Sequence, residues 1–386
     1  MPIFSRDAPE PVPPADLPPG FRKGRGVGSN RDPRFSRWTR VVEPELADAL
    51  AEADPEYLQE AALRTAVTEI DARSIISRNQ SPDVPFDQSI NPYQGCEHGC
   101  VYCFARPSHA YLDLSPGLDF ETRIFAKRNA ADLLRRELAR PGYVPRLIAL
   151  GANTDPYQPI ERKRGLTRAV LEVLAECRHP VGITTKSALV ERDIDLLAPM
   201  AAEGLVRVYL SVGTLSPELA RILEPRATAP LRRIEAVRRL VGAGIPTGVI
   251  AAPVIPAIND QELEQVLSCA AEAGAHSAHY VLLRLPLEVR ELFGEWLRQH
   301  FPQRAEHVMS LVRQMREGRD NDARFGSRMR GSGAFADLLA QRFRLAIRRL
   351  GLNAVRPDLD MSRFRPPARP AAGRDHHNTA AQLSLF

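Results

Sequence analysis

Between residues 120 and 300 the chain alternates short apolar runs with longer amphipathic stretches. The apolar runs are typical of strands buried on both faces, and the stretches between them repeat hydrophobic residues with the period of a helix. This alternation predicts successive β/α units and a parallel sheet. The five predicted strands are RLIALG (146–151), VGITTK (181–186), VRVYLSVG (206–213), TGVIAAPV (247–254) and AHYVLLRL (278–285).

A sixth strand is predicted near residues 89–93, which favours an α/β fold with a partial (β/α)6 TIM-like barrel. A doubly wound open sheet remains the alternative, because strand order cannot be derived from this pattern. In both architectures the carboxyl ends of the strands form one mouth. The polar residues expected there, which suit a cofactor with amino, carboxylate and ribose groups, are Asn153, Thr154, Asp155, Lys186 and Ser211.

Composition outside the barrel predicts extensions on both sides of it. Proline, glycine and arginine dominate the first 40 residues, and periodicity is lost after the last amphipathic helix. That helix should pack an apolar face made by Phe335, Leu338, Leu339, Phe343, Ile347 and Leu350. The predicted segments are a disordered arm (1–40), a helical or irregular extension (41–84), the barrel (85–300), a basic helical extension (301–357) and a flexible tail (358–386).

Hydropathy and cysteine usage exclude several classes of protein. Hydrophobic residues make up 44% of the 386 positions, yet no apolar run approaches the roughly 20 residues of a membrane span. The first residues also lack the layout of a signal peptide, so we expect a cytoplasmic protein. Five cysteines, three of them clustered, make a poor disulfide framework and favour metal binding or catalysis. Cys177 and Cys269 are expected to be small core residues.

The stretch GCEHGCVYCF (95–104) contains the cluster of Cys96, Cys100 and Cys103. Structural zinc usually takes four ligands in two pairs, and a redox dithiol would leave Cys96 unused. Three thiolates can instead hold three irons of a [4Fe-4S] cluster and leave the fourth iron open. The spacing favours the cluster, whereas a non-catalytic iron-sulfur, zinc-binding or redox-sensing protein remains the alternative. His98 in this loop is expected to be exposed.

The spacing Cys96-x3-Cys100-x2-Cys103, with Tyr102 before the third cysteine, resembles the signature of radical S-adenosylmethionine (SAM) enzymes. The resemblance implies a partial (β/α)6 barrel and a [4Fe-4S] cluster whose open iron binds SAM. It also implies cleavage of SAM to a 5′-deoxyadenosyl radical that abstracts hydrogen from a substrate. An electron donor such as flavodoxin or ferredoxin would be the partner for that chemistry.

The runs NPYQGCEHGCVYCFA, NTDPYQPIE, TTKS, LSVGT and IAAPVIP resemble the spore photoproduct lyase-like branch of this superfamily over residues 85–300. By that resemblance Tyr102 lies against the adenine of SAM. Thr154 and Asp155 hold its amino group, Lys186 its carboxylate and Ser211 its ribose. The branch implies a lyase-like enzyme acting on DNA, in lesion repair or base modification.

Two positions depart from that branch. Photoproduct lyases return hydrogen through a cysteine after the second strand and a tyrosine directly after the third cluster cysteine. The matching residues here are Ala152 and Phe104, and neither side chain readily donates hydrogen. Repair by that relay is therefore not expected. Tyr209, on the same strand face as Ser211, is either a replacement donor or a barrel-lining aromatic.

The distribution of charge along the chain favours a polyanionic substrate. Residues 313–369 hold 14 Arg against six Asp and Glu, a field that attracts polyanions. We expect Arg319, Arg324, Arg328 and Arg330 to close over the mouth of the barrel. DNA is therefore the expected substrate, with RNA or protein as the alternative.

The run QLSLF, with Gln382, Leu383, Leu385 and Phe386, resembles the pentapeptide by which bacterial repair proteins bind the β sliding clamp. Apolar residues in polar surroundings are better buried on a partner than left in water. The sequence therefore predicts the β clamp as a possible partner of this segment.

Overall fold

The computed structural model describes residues 24–36, 64–354 and 358–367. The predicted clamp-binding run and most of the predicted arm and N-terminal extension lie outside these ranges. No helix among the described residues is both long and apolar enough to span a membrane.

Ten strands are present in the described ranges, and seven of them form one sheet in the order β10-β9-β8-β7-β6-β3-β2. The strands are β1 (Ala66–Ile70), β2 (Ile76–Arg78), β3 (Gln88–Ile90), β4 (Tyr93–Gln94), β5 (Arg123–Lys127), β6 (Ile148–Leu150), β7 (Val181–Thr185), β8 (Val206–Ser211), β9 (Thr247–Val254) and β10 (Ser277–Leu282). Strands β3 and β6 to β10 are parallel neighbours in chain order, and β2 runs antiparallel to β3. The six predicted strands are thus confirmed. A doubly wound sheet would reverse its strand order at a switch point, and this order does not.

Twelve α-helices accompany these strands in the described ranges. They are α1 (Leu118–Thr122), α2 (Ala130–Leu138), α3 (Glu161–Arg164), α4 (Leu166–Glu176), α5 (Ile194–Ala202), α6 (Pro217–Leu223), α7 (Pro230–Gly242), α8 (Leu263–Glu272), α9 (Val289–His300), α10 (Ala305–Gln314), α11 (Ser327–Arg330) and α12 (Ala334–Arg349). Side chains alternate across β8: Val206, Val208 and Leu210 are buried in the main core, whereas Ser211 faces the barrel interior. The main core therefore lies between the sheet and its helices.

Several segments outside the barrel differ from the predictions. Residues 66–70 and 76–78 form strands rather than part of the predicted helical or irregular extension, because β1 pairs with β5 and β2 with β3. Residues 24–36 pack on the protein and bury Arg25 and Val27. Residues 358–367 also pack, since the ring of Phe364 contacts His179 with their centroids 5.3 Å apart.

Helix α12 packs against α8 with most of the predicted apolar face, but one of the predicted residues does not take part. Leu338 is half exposed, and the buried alanines 336 and 346 complete the contact instead. Arg342, on the same helix, binds the carboxylate of Glu264 at 2.6 Å.

Candidate active site

The three clustered cysteines lie on a loop that follows β4. Gly95 and Gly99 have φ angles of +80° and +67°, a conformation that side chains disfavour. A Cβ atom at Gly99 would also lie 2.7 Å from the carboxylate of Glu121. The Cys96 N–H donates to the carbonyl of Phe120 at 2.9 Å. The glycines therefore let the loop turn tightly against α1.

The thiols of this loop fit an iron-sulfur cluster. Cys96 and Cys100 are buried and Cys103 is partly exposed, and all three border one cavity. Burial raises the pKa of Cys96, and it raises the pKa of Cys100 to about 12. Burial thus favours the protonated thiols. Coordination to a metal would favour the thiolates instead, because a ligating thiol is deprotonated. Among the described residues, no three His, Cys, Asp or Glu side chains lie close enough together to hold a single metal ion. A cluster makes no such demand, since each thiolate binds a separate iron.

A buried ion pair supports the loop from behind. The guanidinium of Arg106 donates to the carbonyls of Gly99 and Cys100 at 3.1 and 2.9 Å and to the carboxylate of Glu121. The N–H of Gly26 donates to the same carboxylate at 3.0 Å. Residues 24–36, predicted to be part of a disordered arm, therefore pack against the cluster loop beside Gly99 and Glu121.

A cavity of about 700 Å³ lies at the carboxyl ends of the parallel strands, beside the cysteine loop. Small-molecule sites commonly measure roughly 300–1,000 Å³. Four of the five predicted cofactor-binding residues line this cavity, namely Tyr102, Asp155, Lys186 and Ser211. Thr154 is the exception: its side chain is buried and its hydroxyl donates to the carbonyl of Tyr93 at 2.9 Å.

Asp155 is the one carboxylate among the described residues that line the cavity. Its oxygens accept from the Thr185 hydroxyl and the Lys186 N–H, both at 2.7 Å. His98 lies 3.3 Å from it and is buried, not exposed as expected. Burial alone would raise the pKa of Asp155, but His98 and these hydrogen bonds lower it to about 2. Asp155 is therefore a fixed anion that suits an ammonium group.

A buried charge network lies beneath Tyr102. The carboxylate of Glu224 accepts from the Tyr102 hydroxyl and from Arg233, which also donates to the carbonyl of Ser211 at 2.8 Å. The Lys186 ammonium lies 5.8 Å from the centre of the Tyr102 ring. Burial disfavours the charged amine, yet Cys100 and Glu224 outweigh it and raise the pKa of Lys186. The network holds the Tyr102 ring and a cation next to the cysteine loop.

The positions that depart from the photoproduct lyase pattern also line the cavity. Ala152 and Phe104 both border it, and neither carries a hydrogen-donating group. Tyr209 does not border it: its ring contacts His279, with centroids 5.5 Å apart, and its hydroxyl lies 3.4 Å from that of Ser277. Tyr209 is therefore positioned as a barrel-lining aromatic.

Only Arg328 of the four arginines predicted at the mouth borders the cavity. It pairs with Asp83, on the connection between β2 and β3. Arg324 binds Asp322 instead, and Arg330 is exposed. Arg319 lines a separate surface groove.

Sequence reasoning missed one charged residue of the cavity, Arg284, and the residues that support its walls, chiefly Glu224, Arg233, Arg25 and Gly26. The only local signal was for Arg284, the arginine in the strand run AHYVLLRL, which is otherwise almost wholly uncharged.

Solved structures with similar folds include several of spore photoproduct lyase. A complex of that enzyme with dinucleoside spore photoproduct has a TM-score of 0.52 and 15% identity, covering 76% of this chain and 82% of the other. A variant with bound AdoMet and the same dinucleoside has a TM-score of 0.51 and 15% identity, covering 78% and 84%. These likenesses show that the fold is shared.

Sequence comparison identifies relatives and a family. An uncharacterised protein of Mycobacterium tuberculosis (strain ATCC 25618 / H37Rv) is 38% identical over 232 residues, 60% of this chain and 68% of its own length. An uncharacterised protein of Methanocaldococcus jannaschii is 27% identical over 242 residues, 63% of this chain and 86% of its own. The profile of the radical SAM superfamily matches residues 90–270, which include the cysteine loop and strands β6 to β9. The chain belongs to the radical SAM superfamily, whose enzymes use a [4Fe-4S] cluster and SAM.

Proposed function

We propose that this protein is a DNA-modifying or DNA-repairing radical SAM enzyme that abstracts hydrogen from a nucleotide of its substrate. The observation that carries the proposal is the continuity of the cavity. The cysteine loop and the predicted SAM contacts form one side of it, and Arg284, Arg328 and the β2 edge form the other. One chamber thus has room for a cofactor and for part of a second, anionic molecule.

Each side chain of the cofactor half has a defined task in this proposal. Cys96, Cys100 and Cys103 would bind three irons of the cluster. Asp155 would accept hydrogen bonds from the amino group of SAM and Lys186 would pair with its carboxylate. When bound, the cluster and SAM supply one-electron chemistry that removes a hydrogen atom from a substrate. The protein's part is to orient these groups and to exclude water.

The DNA part of the proposal is supported by three separate features. Spore photoproduct lyase, which shares the fold, has been crystallised with a dinucleoside photoproduct. Two arginines border the substrate half of the cavity. The segment 313–369 carries a net charge of +8. Phosphate backbones are the polyanions that such positive surfaces bind most generally.

The return of hydrogen in this protein would differ from that in photoproduct lyases. Ala152 and Phe104 offer neither a thiol nor a phenol to the cavity, and the three cluster cysteines are the only thiols among its described lining residues. We therefore propose a reaction on DNA that does not use the cysteine and tyrosine relay. A modification of DNA in which no protein side chain returns a hydrogen atom would be such a reaction.

Anaerobic reconstitution tests the chemistry first. The wild-type protein should bind about four iron and four sulfide per chain and release 5′-deoxyadenosine from SAM with dithionite. Cys100→Ser should lose both properties. Cys269→Ser is the matched control, because Cys269 lies on α8 outside the cavity, and it should keep them. Zinc without sulfide in the wild-type protein would contradict the proposal.

Deuterium transfer tests the substrate. The enzyme would be incubated with irradiated or untreated DNA, or with RNA of the same sequence, each uniformly deuterated at carbon. Deuterium in 5′-deoxyadenosine from DNA alone would support the proposal. Transfer from RNA alone, or from neither nucleic acid, would overturn its DNA part and leave the radical SAM chemistry intact.

The sliding clamp belongs to this proposal as a docking partner, supported by the run QLSLF. Binding to purified bacterial β clamp should be lost when residues 382–386 are deleted. Cleavage of SAM by the deleted protein should be unchanged. Equal binding of the clamp by the full-length and the deleted protein would refute docking through QLSLF.

A further inference from the structure

Arg284 follows β10 and borders the cavity on the side formed by α11. Its guanidinium carbon lies 5.5 Å from the centre of the Phe104 ring, the residue directly after the third cluster cysteine. Lys186, the cation of the cofactor half, lies instead beside Cys100 and Tyr102. The two cations therefore serve different parts of one cavity.

The guanidinium of Arg284 has few partners of its own. Its Nη1 atom contacts the thioether of Met329 at 3.7 Å, a weak acceptor. Its Nε atom is buried without a hydrogen-bond partner among the described residues. No Asp or Glu within those ranges lies in ion-pair contact with it.

Other arginines near the site have their donors occupied. Arg106 and Arg233 pair with buried carboxylates, and Arg328 pairs with Asp83. Arg316 donates to two carbonyls, those of Leu283 and Ser327. Arg284 thus differs from its neighbours in having neither a carboxylate nor a carbonyl acceptor among the described residues.

The electrostatic surroundings of Arg284 favour an anion. Burial and the positive charges of Arg328 and Arg316 lower its pKa to about 10, and Asp83 opposes this shift. The group remains protonated at neutral pH. A largely buried cation without a counter-ion is costly, so an incoming anion would remove an existing penalty.

We propose that Arg284 binds a phosphodiester group of the nucleic acid, next to the nucleotide that reacts. This inference rests on the proposed function. The planar guanidinium matches a phosphate with two parallel hydrogen bonds. Phe104 keeps 48% of its surface exposed beside it and offers an apolar ring to a base. A phosphate joined to a planar base is the unit that a nucleotide presents.

The test compares Arg284→Gln with Arg298→Gln in the anaerobically reconstituted enzyme. Arg298 is exposed on α9, outside both the cavity and the basic segment 313–369, so its substitution removes the same charge elsewhere. Fluorescence anisotropy with a labelled single-stranded DNA would give the affinity, and equilibrium dialysis would give SAM binding. Arg284→Gln should weaken DNA binding roughly 10- to 100-fold with SAM binding unchanged. Arg298→Gln should change neither affinity by more than about twofold.

Chemical substitution of the ligand locates the contact. A single neutral methylphosphonate moved along the DNA should weaken wild-type binding strongly at one position and have no further effect there in Arg284→Gln. The salt dependence of binding should fall by about 0.7 in slope in the variant. Arg284→Lys, which keeps the charge, should recover part of the affinity and guards against misfolding of the Gln variant.

Three results would overturn the inference, and they are distinguishable. Equal DNA affinity in wild type and Arg284→Gln would reject the phosphate contact but leave the DNA substrate standing. A parallel loss of SAM binding would make Arg284 a cofactor residue instead. Failure of the wild-type enzyme to bind DNA would reject the proposed function and this inference together.

Discussion

Arg328 and Asp83 form an ion pair although they are 245 positions apart in the sequence. Asp83 lies on the connection from β2 to β3, at one edge of the large sheet, and Arg328 lies on α11, which packs beside β10 at the other edge. The Gly326 N–H also donates to Asp83, at 2.6 Å. The pair therefore bridges the two edges of the open barrel beside the cavity.

Asp83→Asn should loosen this bridge. The amide keeps the size of the side chain but removes the charge that Arg328 faces, so α11 should separate more often from the β2 edge. We expect tryptic cleavage within residues 319–330 to become several times faster, as measured by mass spectrometry. Asp71→Asn breaks the exposed pair with Arg128 and is the control. Equal cleavage rates in both variants would contradict the bridging role.

Gly26→Ala should disturb the cluster loop. A Cβ atom at Gly26 would lie 1.7 Å from the carbonyl oxygen of Gly99, so residues 24–36 cannot keep their place. We expect less iron per chain after reconstitution and faster loss of iron to a chelator. Gly242→Ala meets no atom within 4 Å at the end of α7 and should leave both quantities unchanged. Normal iron retention by Gly26→Ala would refute the support ascribed to this segment.

Glu224→Gln should destabilise the protein by about 3 kcal/mol, because it leaves the buried charges of Arg233 and Lys186 without their counter-ion. SAM binding should weaken as well, since the Tyr102 ring loses its anchor. Urea denaturation and equilibrium dialysis measure the two effects. Glu235→Gln, which breaks an exposed pair with Arg238, should change neither. An unaltered unfolding midpoint for Glu224→Gln would contradict the stabilising role of this network.

Stability should fall with acidification partly through His179. Burial lowers the pKa of His179 to about 4, whereas the unfolded chain titrates near 6.5. The unfolded chain binds the proton more readily than the folded protein. The contribution of neutral His179 to the free energy of unfolding is therefore complete above pH 6.5 and is lost as the pH falls towards 4. Between pH 7 and pH 5 the loss should be about 2 kcal/mol.

Urea midpoints at the two pH values measure that loss, and His179→Gln should reduce the difference by about 2 kcal/mol. Some pH dependence should remain, because burial also lowers the pKa of His109 to about 4. An identical pH dependence in the variant and the wild type would show that His179 does not titrate as the structure implies.

The sequence by itself determined the six parallel strands, their helices and the three cysteines that fit a cluster. Those features are local: a strand buried on both faces is apolar at consecutive positions, and the three thiols lie within eight positions. The polar residues at the strand ends followed from the predicted parallel sheet, and four of the five expected there border the cavity, namely Asn153, Asp155, Lys186 and Ser211.

Only the tertiary structure decided which charges are paired. Arg328 meets Asp83 and Arg284 meets no carboxylate among the described residues, although both are arginines near the same cavity. Gly26 lies against Gly99, and His98 is buried beside Asp155. Hydrophobic periodicity reports how each element is buried, but it holds no information on which distant side chains meet. Those contacts depend on how the edges of the sheet and the flanking segments come together in three dimensions.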